Sequence, residues 1–448
     1  MTRLTRSIFV VLVALLFWPS PVSAQDGMPV VLSMRDRAKV IDGLLDYRLE
    51  TVVPDLMRRE GIDMWIIAAR EYNEDPVIRT MLPATWIAAR RRTVLVFFDR
   101  GDEGVERLAV ARYDIGRSFG SAWNPEENPD QWARLAEIVA ERNPQRIGLN
   151  ISETFALGDG LTASERDGMM EAFAPQYRDR VVSAERLAVG WLETRTDREM
   201  EMYPMIVKIA RNIIEEGLSE QVIQPGVTRT EDVEWWFRDR IRDLNLVTWF
   251  HPSVDIQREE ATERDNDFSA REEGGVIHMG DLLHVDFGIT YLRLNTDTQM
   301  HAYVLRHGET EAPSDLVNAL AVGNRLQDIL TGQFESGRSG NDILKSALDQ
   351  AAAEGIEATI YTHPIGFHGH AAGPTIGLWD QQGGVPGRGD YPLYPMTAHS
   401  IELNAAVAIA AWNGQTVRIM LEEDAIFDGE TTTYIDPRQE ELLLIPRQ

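Results

Sequence analysis

Residues 281–305 read DLLHVDFGITYLRLNTDTQMHAYVL, and two acids, Asp286 and Asp297, stand in runs otherwise rich in Leu, Val, Ile and Tyr. Such runs pattern as paired strands. A carboxylate in a buried strand is costly unless something pairs with it. A hairpin centred near Tyr291-Leu292 sets Asp286 directly opposite Asp297, with Cβ atoms about 4.5–5.5 Å apart. Two carboxylates that close repel unless a proton or a cation lies between them. The plain alternative is a pair of exposed acids on an edge strand.

Two further acids sit in or beside apolar strands: Glu402 in SIELN (400–404) and Glu422 in MLEED (420–424). Between them Asn413-Gly414 predicts a two-residue hairpin. That pairing places Glu402 opposite Ala425 and Glu422 opposite Ala405, on opposite faces. A bulge is then needed to bring them together, and solvent-facing glutamates are the alternative. Upstream, YTHPIGFHGH (361–370) packs His363, His368 and His370 into one stretch, although none of the nine histidines precedes residue 251. Four carboxylates and one imidazole on a single sheet suit two divalent cations sharing bridging carboxylates, about 3.5–4 Å apart. An imidazole in the set favours manganese, iron, cobalt or zinc over calcium. No HExxH occurs, so a helix-borne zinc protease is not supported.

Around this core the C-terminal half, residues 195–448, reads as α+β, with helices such as SDLVNALAVGNRLQDILTG packed on an antiparallel sheet. It opens with Thr196 and Glu199 at capping-box spacing. Pro204 marks either a helix start or a kink. Residues 25–194 alternate helix and strand and read as an α/β domain. A helix ends at Gly61, strands follow in DMWIIAAR, TVLVFFD and RLAVARY, and Asn128 and Pro129 open a second helix whose face holds Trp132, Leu135, Ile138 and Val139.

Residues 1–24 combine basic MTRLTR, apolar SIFVVLVALLFW and PSPVSA, which reads as an export signal cleaved after Ala24. The expected location is secreted or periplasmic. The apolar run is too short for a membrane span. Cysteine is absent, which excludes a thiol nucleophile and cysteine-ligated zinc. The formal charge of −27 repels a phosphate backbone and argues against nucleic acid as a partner.

The order HVDFG, an eleven-residue step from Asp286 to Asp297, then HPIGFHGH, SIELN and LEED resembles the pita-bread metallopeptidases of family M24. These include methionine aminopeptidase, aminopeptidase P, prolidase and the metal-free creatinase. The resemblance covers about residues 195–440, and the N-terminal half looks like the extra creatinase-like domain of the aminopeptidase P and prolidase branch. It implies a metal site of Asp286, Asp297, His363, Glu402 and Glu422, with Asp297 and Glu422 bridging two divalent ions, manganese first and cobalt, iron or zinc as alternatives. It implies that Glu402 takes the proton of the attacking water and that His370 acts on the substrate carbonyl. A rival register reads HAAG as the ligand motif, with His370 on the metal and Gly377 in the catalytic place. His251 and His368 are the possible substrate-binding residues. A peptide substrate and a homodimer are further implications. The expected reaction is cleavage before proline by an aminopeptidase, with a dipeptide-specific prolidase as near alternative. A creatinase-like amidinohydrolase or a non-catalytic binding protein are the readings of another class. The sequence departs from the family at Thr359, where a further His is usual, at Ser269, where a loop His is common, and at Gln299-Met300, where Thr-Arg is frequent.

Overall fold

The computed structural model of the chain describes residues 27–259 and 275–447. The proposed export signal and Ser269 lie outside these residues.

In the N-terminal half a long helix, Met34–Glu60, starts on the Ser33 cap and stops at Gly61, whose φ of 61° lets its N–H close on the last carbonyls. Its stripe of Leu45, Leu49, Val53, Leu56 and Met57 is buried, against a six-stranded sheet that includes Met64–Arg70, Arg92–Asp99, Val105–Val110 and Ile147–Leu149. The α/β expectation holds. The helix expected from Asn128 instead begins at Gln131. Asp130 is the cap, its carboxylate accepting from the N–H groups of Trp132 and Ala133. Pro129 therefore precedes the cap. A carboxylate in this place satisfies two orphan donors and also meets the positive end of the helix dipole.

At the start of the second half, Thr196 and Glu199 form the expected capping box, and Pro204 lies in the first turn of Tyr203–Gly217, a start and not a kink. Glu199 is buried between Arg48 at 2.8 Å and Arg195 at 3.4 Å. The stretch before the long helix reaches across, because the Leu32 N–H donates to the Tyr291 hydroxyl at 2.8 Å.

The decisive hairpin turns one residue later than expected. Its tip is Leu292-Arg293, with φ of 53° and 68°, closed by Tyr291 opposite Leu294. This is the mirror-image turn that matches strand twist, here without Asn or Gly. Arg293 is held by a hydrogen bond to the Thr80 carbonyl at 3.1 Å. The register between Leu282–Phe287 and Thr298–Val304 consequently sets Asp286 opposite Gln299. Asp297 lies two residues on, so it shares the face of Asp286 diagonally and not directly.

The second hairpin corrects the other register. Asn413-Gly414 is not a two-residue turn. Ile409 pairs with Gln415, and the intervening loop makes a 3₁₀ turn at Ala410–Trp412 before Asn413 and Gly414 adopt φ of 55° and 85°. Trp412 is buried at 2% exposure; anchoring this indole in the core requires the longer loop. Leu403 then faces Leu421, and the Ile401 N–H donates to the Glu423 carbonyl. Glu402 comes opposite Glu422 with no bulge. The same register carries on to Ser400 opposite Asp424, while His363 pairs with Ser400 on the other side. A bridge from Gln299 to Glu422 joins the two hairpins. Helices Ser314–Thr331 and Gly340–Ala353 pack on one part of this sheet assembly, and Tyr203–Gly217 and Thr230–Asp243 on the other.

Candidate metal centre

The registers above bring His363, Glu402, Glu422, Asp297 and Asp286 onto neighbouring strands. A cavity of about 440 Å³ opens there, with Asp286, His363, His370 and Glu402 in its wall. His363 Nε2 lies 3.3 Å from Glu422, 3.5 Å from Asp297 and 3.9 Å from Glu402. Asp297, His363 and Glu422 each offer an atom within 4.8 Å of the others, and all three are buried. His363 Nδ1 sits 3.0 Å from the Pro364 carbonyl. A carbonyl only accepts, so Nδ1 carries the hydrogen and Nε2 is left facing the acids.

The electrostatics of this cluster call for a cation. Burial and the neighbouring Glu422 and Asp286 push the Asp297 carboxyl well above its usual range. Burial and Glu422 do the same to Glu402. Burial disfavours a charged His363, but Glu422 and Glu402 override it and raise the imidazole to about 9. Asp297 Oδ1 and His363 Nε2 are buried without a hydrogen bond. Buried polar atoms are normally satisfied, and a divalent ion satisfies such a set. The donors, oxygens plus one imidazole, fit manganese, iron, cobalt or zinc. The residues present therefore fit a metal.

His370 is held next to this cluster by its loop. Its ring meets His363 edge-on with centroids 4.6 Å apart and Trp249 at 5.1 Å. A Cβ on Gly369 would lie 2.3 Å from the Trp249 ring, so only glycine lets the loop lie this close. Burial, then His363, lowers His370 to about 4, which leaves a neutral imidazole at ordinary pH. In the rival register Gly377 stands in the catalytic place; it has φ of 78° and its Cβ position is blocked by the Ile360 carbonyl at 2.1 Å.

The other two candidates lie apart. His368 is half-buried, outside the cavity wall, and burial with Arg79 and Arg195 lowers it to about 4. His251 is on the surface, 3.2 Å from Arg238 and packed on Trp235. Gln299, in the sequence a departure from the family pattern, lines the cavity. Its amide nitrogen donates to Glu402 at 2.7 Å and Glu422 at 2.8 Å. The signal was period two, which puts residue 299 on the face of Asp297. Arg388, Trp379 and Tyr361 also line the cavity and carry no motif that marks them. His301, buried, is structural: Nδ1 donates to the Leu283 carbonyl and Nε2 accepts from the Met420 N–H.

The pita-bread arrangement and its acid–histidine centre define a class, the hydrolytic metallopeptidases. Within that class, residues 205–425 match the family model of metallopeptidase family M24. No curated protein matches the sequence. An X-Pro aminopeptidase from Thermotoga maritima shares the fold with a TM-score of 0.60 and 14% identity, over 87% of this chain and 99% of that one. An Xaa-Pro dipeptidase from Bacillus anthracis gives 0.56 and 18%, over 92% and 100%. Aminopeptidase P from E. coli, with the inhibitor Pro-Leu, gives 0.54 and 13%, over 90% and 95%.

Proposed function

We propose that this protein is an exported aminopeptidase that hydrolyses the peptide bond before proline, using two divalent ions, manganese first. The observation that carries the reading is the buried Asp297–His363–Glu422 triad with orphaned ligand atoms in a cavity wall, on a fold shared with Xaa-Pro peptidases. Asp286, Asp297, His363, Glu402 and Glu422 would hold the ions. The chemistry such a pair supplies is activation of water near neutral pH and polarisation of the scissile carbonyl.

Glu402, mostly buried but lining the cavity, is the carboxylate placed to take the proton of the attacking water. Neutral His370 donates a hydrogen bond to the carbonyl oxygen as charge develops there. On this reading residues 1–24 act as an export signal, the mature chain works outside the cytoplasm, and it assembles as a homodimer.

One observation favours a dipeptidase instead. Arg388 is the only Lys or Arg among the described residues of the cavity wall, and a guanidinium there suits the free carboxylate of a dipeptide. Both readings are tested on chelator-stripped protein assayed with an Xaa-Pro dipeptide and an Xaa-Pro tripeptide, with and without manganese. Metal-restored cleavage lost in Asp297→Asn supports the peptidase, and the preferred length separates the two. Absence of cleavage with any Xaa-Pro peptide, despite bound metal, removes the proline specificity.

A further inference from the structure

Gln299 sits inside the acidic centre without being a candidate ligand or base. It is buried at 3% exposure. On one side it faces Asp286 across the ladder, and on the other its backbone N–H donates to the Glu422 carbonyl at 3.0 Å. Its side-chain nitrogen carries two hydrogens, and both are used, one on Glu402 Oε1 and one on Glu422 Oε2. The orientation of the amide is thereby fixed. Its oxygen must face His284, whose Nε2 donates to it at 2.9 Å. Behind it, His284 Nδ1 lies 3.3 Å from Asp255. The consequence falls on the remaining oxygens, of which Glu422 Oε1 also accepts from Ser400 Oγ at 2.7 Å. Glu422 Oε1 and Glu402 Oε2 are the ones turned to His363 Nε2, at 3.3 and 3.9 Å.

We propose that Gln299 is a positioning residue of the metal centre: backed by His284 and Asp255, its amide holds one oxygen of Glu402 and one of Glu422, so that the other oxygen of each faces the His363–Asp297 side. The inference rests on the metal-site reading above. Two glutamates tied to one rigid donor have lost their rotamer freedom before a cation arrives, which lowers the cost of binding it. Partners of this kind also decide which oxygen, and how many, a carboxylate presents.

The test uses the full mature chain, stripped with chelator. It is titrated with manganese by calorimetry, and separately loaded with cobalt for its visible spectrum. Gln299→Leu keeps much of the volume and loses both donors. Gln299→Asn keeps the amide one methylene short, so it cannot span both glutamates, and it serves if the Leu variant does not fold. The expected result is a loss of manganese affinity of about 10–100-fold in either variant, with a changed cobalt spectrum as the glutamates alter their coordination. Met300→Leu, on the opposite face of the same strand, leaves both readouts unchanged. A merely structural role would lower the melting temperature and leave the cobalt spectrum as it was. Wild-type affinity and spectrum in a folded Gln299 variant overturn the proposal. A wild-type chain that takes up no manganese overturns the metal-site reading itself, before any variant is compared.

Discussion

Asp297 and His363 show what single residues do in an overcharged pocket. Burial, together with Glu422 and Asp286, raises the Asp297 carboxyl, so the uncharged isostere Asn removes a group that is hard to ionise in the metal-free chain. Asp297→Asn is expected to leave the metal-free melting temperature equal or higher while abolishing the upward shift that manganese gives the wild type. Scanning fluorimetry with and without the ion checks this. His363 predicts a pH effect. Burial opposes its charge, yet the surrounding glutamates hold it protonated up to about 9. A cation must displace that proton, so below about pH 9 protons compete and above it they do not. Apparent manganese affinity should rise with pH by at least about tenfold per unit while His363 must release its proton, and more steeply where the raised Asp297 and Glu402 carboxyls release theirs as well. Affinity that falls as pH rises from 6 to 9 would remove His363 from the ligand set. His370, by contrast, is already neutral above about 4. His370→Ala should cost about 10²–10³ in kcat, as for other carbonyl-stabilising donors, with manganese affinity retained.

At the scale of elements, the residues of the centre were legible but the registers that assemble them were not. Acids in apolar runs announce themselves by cost, and a Ser, Thr or Gly signal is enough to place most helix ends. Both hairpin turns misled. Leu292-Arg293 adopts left-handed backbone at two non-glycine residues, which propensity disfavours and the surrounding packing permits. Asn413-Gly414 has the composition of a two-residue turn, yet the buried Trp412 takes the chain through a longer loop. Because side chains alternate faces, such shifts decide which acids meet. The indole is therefore a determinant of the Glu402–Glu422 pairing. Trp412→Ala should destabilise the protein by about 3–5 kcal/mol, read by denaturant unfolding. A loss under about 1 kcal/mol would show that the loop holds its register without it. Arg388 was hidden for another reason: a lone polar residue has no spacing partner, and only tertiary contact reveals what it faces. Period two put Gln299 on the face of Asp297, but its partners Glu402 and Glu422 come from the other hairpin.

At the scale of the whole molecule, a buried ion cluster ties the long N-terminal helix to the entry of the C-terminal half. Arg48 donates to Glu199 and to the carbonyls of Trp191 and Thr194, while Arg195 approaches Glu199 from the other side. Burial penalises the Glu199 carboxylate, but Arg48 and Arg195 outweigh it and hold the group below its usual range. A carboxyl depressed in the folded state contributes stability that is fully present above its unfolded value of about 4.3 and is lost as pH falls through the lower folded value. Removing the charge strands two buried guanidinium groups, and breaking a buried pair of this kind typically costs about 3–5 kcal/mol. Glu199→Gln should therefore melt well below wild type at pH 7. The gap should narrow as pH drops below about 4, because the wild type then protonates the same carboxyl. Calorimetric melting of both proteins across pH 3–7 measures this directly. A gap that stays constant over the whole range would mean that Glu199 acts through packing and the capping box alone, and that the two halves are joined by apolar contact and not by charge.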